Sequence, residues 1–188
     1  MTSNLAIFLR QVRSRSLEHQ RAMSLLADAG LVGQMVSVLR QELDSMVRVI
    51  YLLTQDHERK EILIEASIHG EKWTKKTSRG HVTDREMVEI AQELQGWTKS
   101  VYKFGCAFIH LSALLDYNDR DPLLQLSAEE KNDIIKHCRY YHGGPEQGAE
   151  RFDELVPYLP RILVKISANL ECYLKKLENG AGFKPSEL

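Results

Sequence analysis

The segment running Phe104-Gly-Cys-Ala-Phe-Ile-His-Leu-Ser-Ala-Leu-Leu-Asp-Tyr117 is apolar almost all the way round a helix. A helix without a polar face belongs at the centre of a bundle. The segment therefore predicts an architecture in which other helices surround it. His110 lies near its middle, and a titratable ring in such a place finds a partner or sheds its charge. Two readings follow: a hydrogen-bonded core histidine, or one member of a site.

Helical periodicity runs through the remainder, with no clear alternating strand segment and no internal repeat. A first helix is expected from the Thr2-Ser3-Asn4 cap to about Ala29, interrupted by Gly30 and Gly33. A second covers Leu31 to Gln55, with Val32, Val36, Leu39, Leu43, Val47 and Ile50 on one stripe. Asp56 caps a third that continues to about Lys76, and the basic segment Lys75 to His81 is a loop. Thr83-Asp84-Arg85-Glu86 is a capping box with Val82 and Met87 as a staple, and Ser127-Ala128-Glu129-Glu130 is a second box. Gly96 bends or breaks the chain before the apolar helix that ends at Tyr117. Gly143-Gly144-Pro145 stops the helix opened at Ser127. A last helical region spans about Glu146 to Glu178, broken around Pro157 and Pro160. The expected fold is all-α: a single-domain antiparallel bundle of six to seven helices over residues 1–180, with a flexible tail at 181–188.

At 188 residues the chain can bury a real core. Its formal net charge of −1 makes no global bid for nucleic acid or membrane. Locally, Arg10, Arg13, Arg15 and Arg21 face only Glu18, and Lys72, Lys75, Lys76 and Arg79 form a second basic cluster. Without regularly interleaved aromatic residues, both read as solvated faces in preference to phosphate tracks. Three cysteines, Cys106, Cys138 and Cys172, at wide spacing and without C-x-x-C, predict reduced, buried thiols and a cytoplasmic protein. No signal peptide is expected, and no run approaches the ~20 apolar residues that span a bilayer.

Three constellations can carry chemistry. Arg40, Asp44 and Arg48 follow at four-residue steps, with Tyr51 on the same side. They read either as an anion-holding ladder or as an ion-pair ladder on a solvated face. His110 has Tyr102 and Cys106 before it and Tyr117 after it on nearly the same face. The third is His137-Cys138-Arg139-Tyr140-Tyr141-His142-Gly143-Gly144, at a helix C-terminus whose dipole favours protonated His142. Its other reading is a plain cap with aromatic packing. Metal motifs are absent: there is no paired Glu-x-x-His and no H-E-x-x-H, and a site from His57, His110 and His142 has no support in spacing. No cofactor or metal is expected. Nor is there a Walker loop or a G-x-S-x-G elbow.

Leu39-Arg40-Gln41-Glu42-Leu43-Asp44 through Tyr51-Leu52-Leu53 is followed, one helical hairpin later, by Tyr102-x3-Cys106-x-Phe108-Ile109-His110-Leu111-Ser112. This order resembles prokaryotic HEPN-like helical domains, over about Leu17 to Gly144. Active members of that superfamily are metal-independent ribonucleases that use an arginine and a histidine, usually R-x4-6-H, at a dimer interface. Other members lack the pair and are antitoxins, nucleotide binders or interaction modules. Here Arg139 and His142 are only three apart, and Arg13-x5-His19 falls in the first helix, where the motif does not belong. The resemblance implies that Arg48 or Arg40 pairs with His110 or His142 across helices.

The resulting expectation is a helical binding or interaction module, of a defence or toxin–antitoxin kind, acting as a homodimer with a protein partner or RNA. Its ligand or anion contacts would be Arg40, Asp44, Tyr51, Arg139 and Tyr141. The alternative is a ribonuclease with His110, His142 and Arg48 as catalytic residues, a histidine acting as general base and an arginine stabilising phosphorane charge. A metal-dependent bundle enzyme is a further alternative.

Overall fold

A computed structural model describes residues 3–76, 79–110, 112–148 and 150–183. Among these the chain is all-α, with seven helices of twelve residues or more and one of four. They are α1 (Asn4–Asp28), α2 (Val32–Leu53), α3 (His57–Ile68), α4 (Asp84–Gln95), α5 (Thr98–Ile109), α6 (Ala128–His142), α7 (Phe152–Leu155) and α8 (Leu159–Glu178). Short 3-10 turns at Ala113–Leu115, Pro122–Gln125 and Val156–Tyr158 join them.

The local signals act where their chemistry is local. Thr83 accepts from the backbone N–H of Glu86 at 3.3 Å while Glu86 reaches back to Thr83, and Ser127 with Glu130 does the same. Each box satisfies two amide donors that a helix start leaves open. Gly96 and Gly143 end α4 and α6 at φ 74°, a left-handed conformation that costs glycine nothing. Pro160 sits in the first turn of α8, where its missing N–H costs no bond, so α8 runs unbroken through it.

The centre of the bundle is α2. It packs against α8, α5, α1 and α4, and Leu43, Met46, Val47, Val49, Ile50 and Leu52 on it have no solvent exposure. This corrects the expectation that residues 104–117 form the central helix. That segment is helical only to Ile109, and His110 is its exposed C-cap with extended backbone. The cause is Ser112. Its hydroxyl donates to the carbonyl of Ala107 at 2.6 Å and accepts from the N–H of Leu114 at 3.2 Å, which offers the backbone a turn in place of another helical bond. Leu111 lies outside the described residues.

Two further boundaries differ from the sequence reading. The third helix stops at Ile68 instead of Lys76, and Trp73 then turns inward, donating from its indole N–H to Ser67 at 2.9 Å. The last helical region starts at Phe152 instead of Glu146. Of the tail expected at 181–188, Phe183 is docked: its N–H donates to the carbonyl of Leu53 at 2.9 Å and its ring meets Tyr173. Residues 184–188, like Thr2 of the first cap and residues 77–78 of the basic loop, lie outside the described residues. Among the described residues no helix is long and apolar enough to cross a membrane.

Candidate functional site

Two polar groupings lie on α2, and neither is a solvated ladder. The first surrounds Arg40, which is only 5% exposed. Its Nε donates to the Cys106 sulfur at 3.5 Å, and its guanidinium lies 4.2 Å from the centre of the Tyr102 ring. It also reaches Asp84, at the start of α4, at 3.3 Å, and Asp44 at 3.8 Å. Burial opposes the charge of Arg40. The Cys106 sulfur and the two carboxylates outweigh that cost and hold its pKa above the ordinary value. Arg48 completes the group, 3.1 Å from both Asp44 and Asp84, with its guanidinium over Trp73 at 5.4 Å. Tyr51 also meets Trp73, ring to ring at 5.7 Å. Two guanidinium groups are thus matched by two carboxylates, a charge-balanced knot that ties α2 to α4 and α5. Tyr102 and Cys106, placed beside His110 by spacing, serve Arg40 instead.

The second grouping has no forerunner in the sequence reading. Glu42 is fully buried, yet it accepts three hydrogen bonds: Ser16 at 2.5 Å and His19 at 2.7 Å from α1, and Ser167 at 2.7 Å from α8. Burial penalises its charge, and these bonds, with the electrostatic attraction of His19, hold its carboxyl below the usual range all the same. Every group in it is spent on another, so it is a structural network.

The remaining grouping lies round a pocket of about 80 Å³ between α2, α5, α6, α7 and α8. Its floor is apolar: Val36, Leu39, Trp97, Phe104 and Ile166 are among the side chains facing it. Tyr141, His142 and Lys165 line its rim, and among the described residues no acidic side chain lines it. Aromatic contacts of 5.2 Å between Phe104 and Phe108 and 5.5 Å between Phe104 and Phe152 stiffen one wall. His137 also lines the pocket, stacked on Tyr141 at 6.3 Å, and its Nδ1 is shut off from solvent with no hydrogen-bond partner. A buried polar atom of this kind is uncommon in a folded protein and calls for a partner.

The segment 137–144 is brought together with α8, and its electrostatics differ from those expected. His142 was expected to be protonated by the helix dipole. Burial, followed by the charges of Lys165 and Arg161, pushes its pKa down instead. Both cations arrive from α8, which a dipole argument confined to α6 does not contain. Arg139 donates to the carbonyls of Pro145 at 2.9 Å and Glu146 at 2.6 Å, closing the loop after α6. Tyr140 is 80% exposed. Among the described residues no hydrogen bond or ion pair joins His110 or His142 to the side chain of Arg40 or Arg48.

The thiols correct one expectation: Cys138 is buried, Cys106 is half-buried and Cys172 is exposed. Burial pushes the Cys138 thiol up to about 11, against a smaller opposing effect of Arg139. Since the thiolate is the nucleophile, maleimide at pH 7 is expected to label Cys172 rapidly and Cys138 only after unfolding. Peptide mapping of a labelling time course checks this, and early modification of Cys138 would contradict the enclosed wall.

Several of the basic residues are paired: Arg13 with Glu171 and Glu178 on α8, Lys75 with Glu86, and Lys76 with Asp56. Among the described residues no three His, Cys, Asp or Glu side chains cluster so as to hold a metal ion. Comparison of the chain with protein-family models, curated proteins and solved structures finds no match.

Proposed function

We propose that this chain is an α-helical binding module whose site is the pocket between α2, α5, α6, α7 and α8, and that its ligand is a small molecule with an apolar body. The observation that carries this reading is a pocket between five helices whose lining surface is almost wholly apolar, with Tyr141, His142 and Lys165 among the few polar residues beside it, a composition suited to a small molecule with an apolar body. The volume sets the scale. A cavity of order 150 Å³ admits benzene, so about 80 Å³ suits a short aliphatic chain whose end lies at the rim.

The test uses hexanamide, a neutral six-carbon chain, titrated into the isotopically labelled protein. Saturable shifts of the Trp97 indole and of amides at Val101, Ile134 and Ile162 are expected. Ile162→Trp, which fills the pocket from a half-buried lining position, is expected to abolish those shifts while keeping a cooperative melt. Val101→Phe serves as a second filling variant. Shifts scattered over the surface, or shifts unchanged in both filled variants, would sink the reading.

A further inference from the structure

The rim carries a charge that the apolar floor does not explain. Lys165 lines it, with Nζ over the Tyr141 ring at 5.8 Å. One turn earlier on α8, Arg161 donates to the backbone carbonyl of His142 at 3.3 Å, with its guanidinium 5.6 Å from the Tyr158 ring. Among the described residues neither cation forms an ion pair with a carboxylate, although many of this protein's other lysines and arginines do. The C-terminus of α6 points at the same rim and carries about −0.5 of a charge. Arg161 and Lys165 together exceed that, and Arg161 directly covers one of the terminal carbonyls.

Resting on the pocket reading above, we propose that the ligand is a small amphiphilic anion, a short-chain carboxylate whose tail enters the apolar floor and whose carboxylate sits at the rim against Lys165. Arg161 adds positive potential from its anchored position. The stacked Tyr141 ring covers the first carbons of the chain. Burial first, and then the two cations, lowers the pKa of His142, and an anion at the rim would relieve the cations' share. A neutral imidazole can donate one hydrogen bond to the carboxylate without bringing a further charge.

Hexanoate and hexanamide have the same chain and differ in the charge of the head, which separates this proposal from the one it rests on. By calorimetry at pH 7 and low salt, hexanoate is expected to bind about tenfold more tightly than hexanamide, an advantage of ~1.4 kcal/mol. Raising the salt is expected to shrink that advantage, because a rim charge is screened. Lys165→Met and Arg161→Gln, both at exposed positions, are expected together to bring the hexanoate-to-hexanamide affinity ratio close to one. Equal affinity for the two ligands would overturn the anionic head and leave the pocket reading standing. A preference for hexanoate that survives both substitutions would overturn the placement of the head at this rim. Failure of both ligands would remove the pocket reading and this proposal together.

Discussion

Glu42→Ala is expected to lower the unfolding free energy by ~3–5 kcal/mol, the usual cost of removing one partner from a buried charged network. The substitution removes more than three hydrogen bonds. It leaves the hydroxyls of Ser16 and Ser167 and the ring of His19 facing a void, all of them buried. Glu42→Gln keeps the volume and one acceptor oxygen, so a smaller loss is expected. Urea unfolding of both variants at pH 7 measures the difference.

The same residue gives the protein a signature in acid. The folded-state pKa of Glu42 lies below its ordinary value. Its contribution is therefore fully present above the unfolded value of about 4.3, and it disappears as the pH falls through the folded value. The wild-type protein is expected to lose stability over that acidic range more steeply than Glu42→Gln does. Identical pH profiles for the two proteins would show that the carboxylate is not held as described.

Gly105→Ala carries the second large effect, and its sign runs against local preference. In an isolated helix alanine is favoured over glycine by about 1 kcal/mol. Here a Cβ at position 105 would lie 2.7 Å from the Cβ of Arg40 and 3.2 Å from its Cγ and Cδ. The nearest obstacle belongs to the root of the side chain, so α2 and α5 must separate. A net loss of ~1–3 kcal/mol is expected, as for other overpacked cores. Because that atom remains in alanine, Arg40→Ala relieves only the outer contacts. The penalty of Gly105→Ala is expected to persist in that background, and a double-mutant cycle by urea unfolding tests it. Full rescue by Arg40→Ala would place the conflict in the guanidinium stem instead.

What could be read from the chain follows the range of the interactions responsible. A capping box spans three residues, and both boxes and their helices stand where the Thr83 and Ser127 patterns put them. The all-α architecture likewise follows from periodicity repeated in every segment. The failures arise where a partner comes from far along the chain. Arg40, Asp44 and Arg48 read as one side of α2, whereas Glu42 carried no reading, and its burial becomes tolerable only through residues 23, 26 and 125 positions away. The lowered pKa of His142 comes first from burial in the assembled bundle and then from Lys165 and Arg161, about twenty residues downstream. The apolar run at 104–117 looked continuous because hydropathy does not register a serine hydroxyl that competes for backbone bonds at Ser112. The pocket had half a signal: the aromatic and histidine cluster at 137–142 was visible, and the α8 cations opposite it were not.

The buried carboxylate on α2 also decides which of several nearly equal alignments the bundle adopts. Along α8 the inward positions are Leu159, Leu163, Ile166, Leu170, Leu174 and Leu177, a row in which one turn resembles the next. Sliding α8 by a turn, about 5.4 Å, would match leucine to leucine again at small cost in contact area. It would also bring Leu163, or Leu170 or Glu171, to the place of Ser167, and the oxygen that Ser167 serves would face an aliphatic chain or a second carboxylate. A repeating apolar stripe supplies adhesion without counting; Glu42, with donors drawn from two different helices, makes the assembly count its turns.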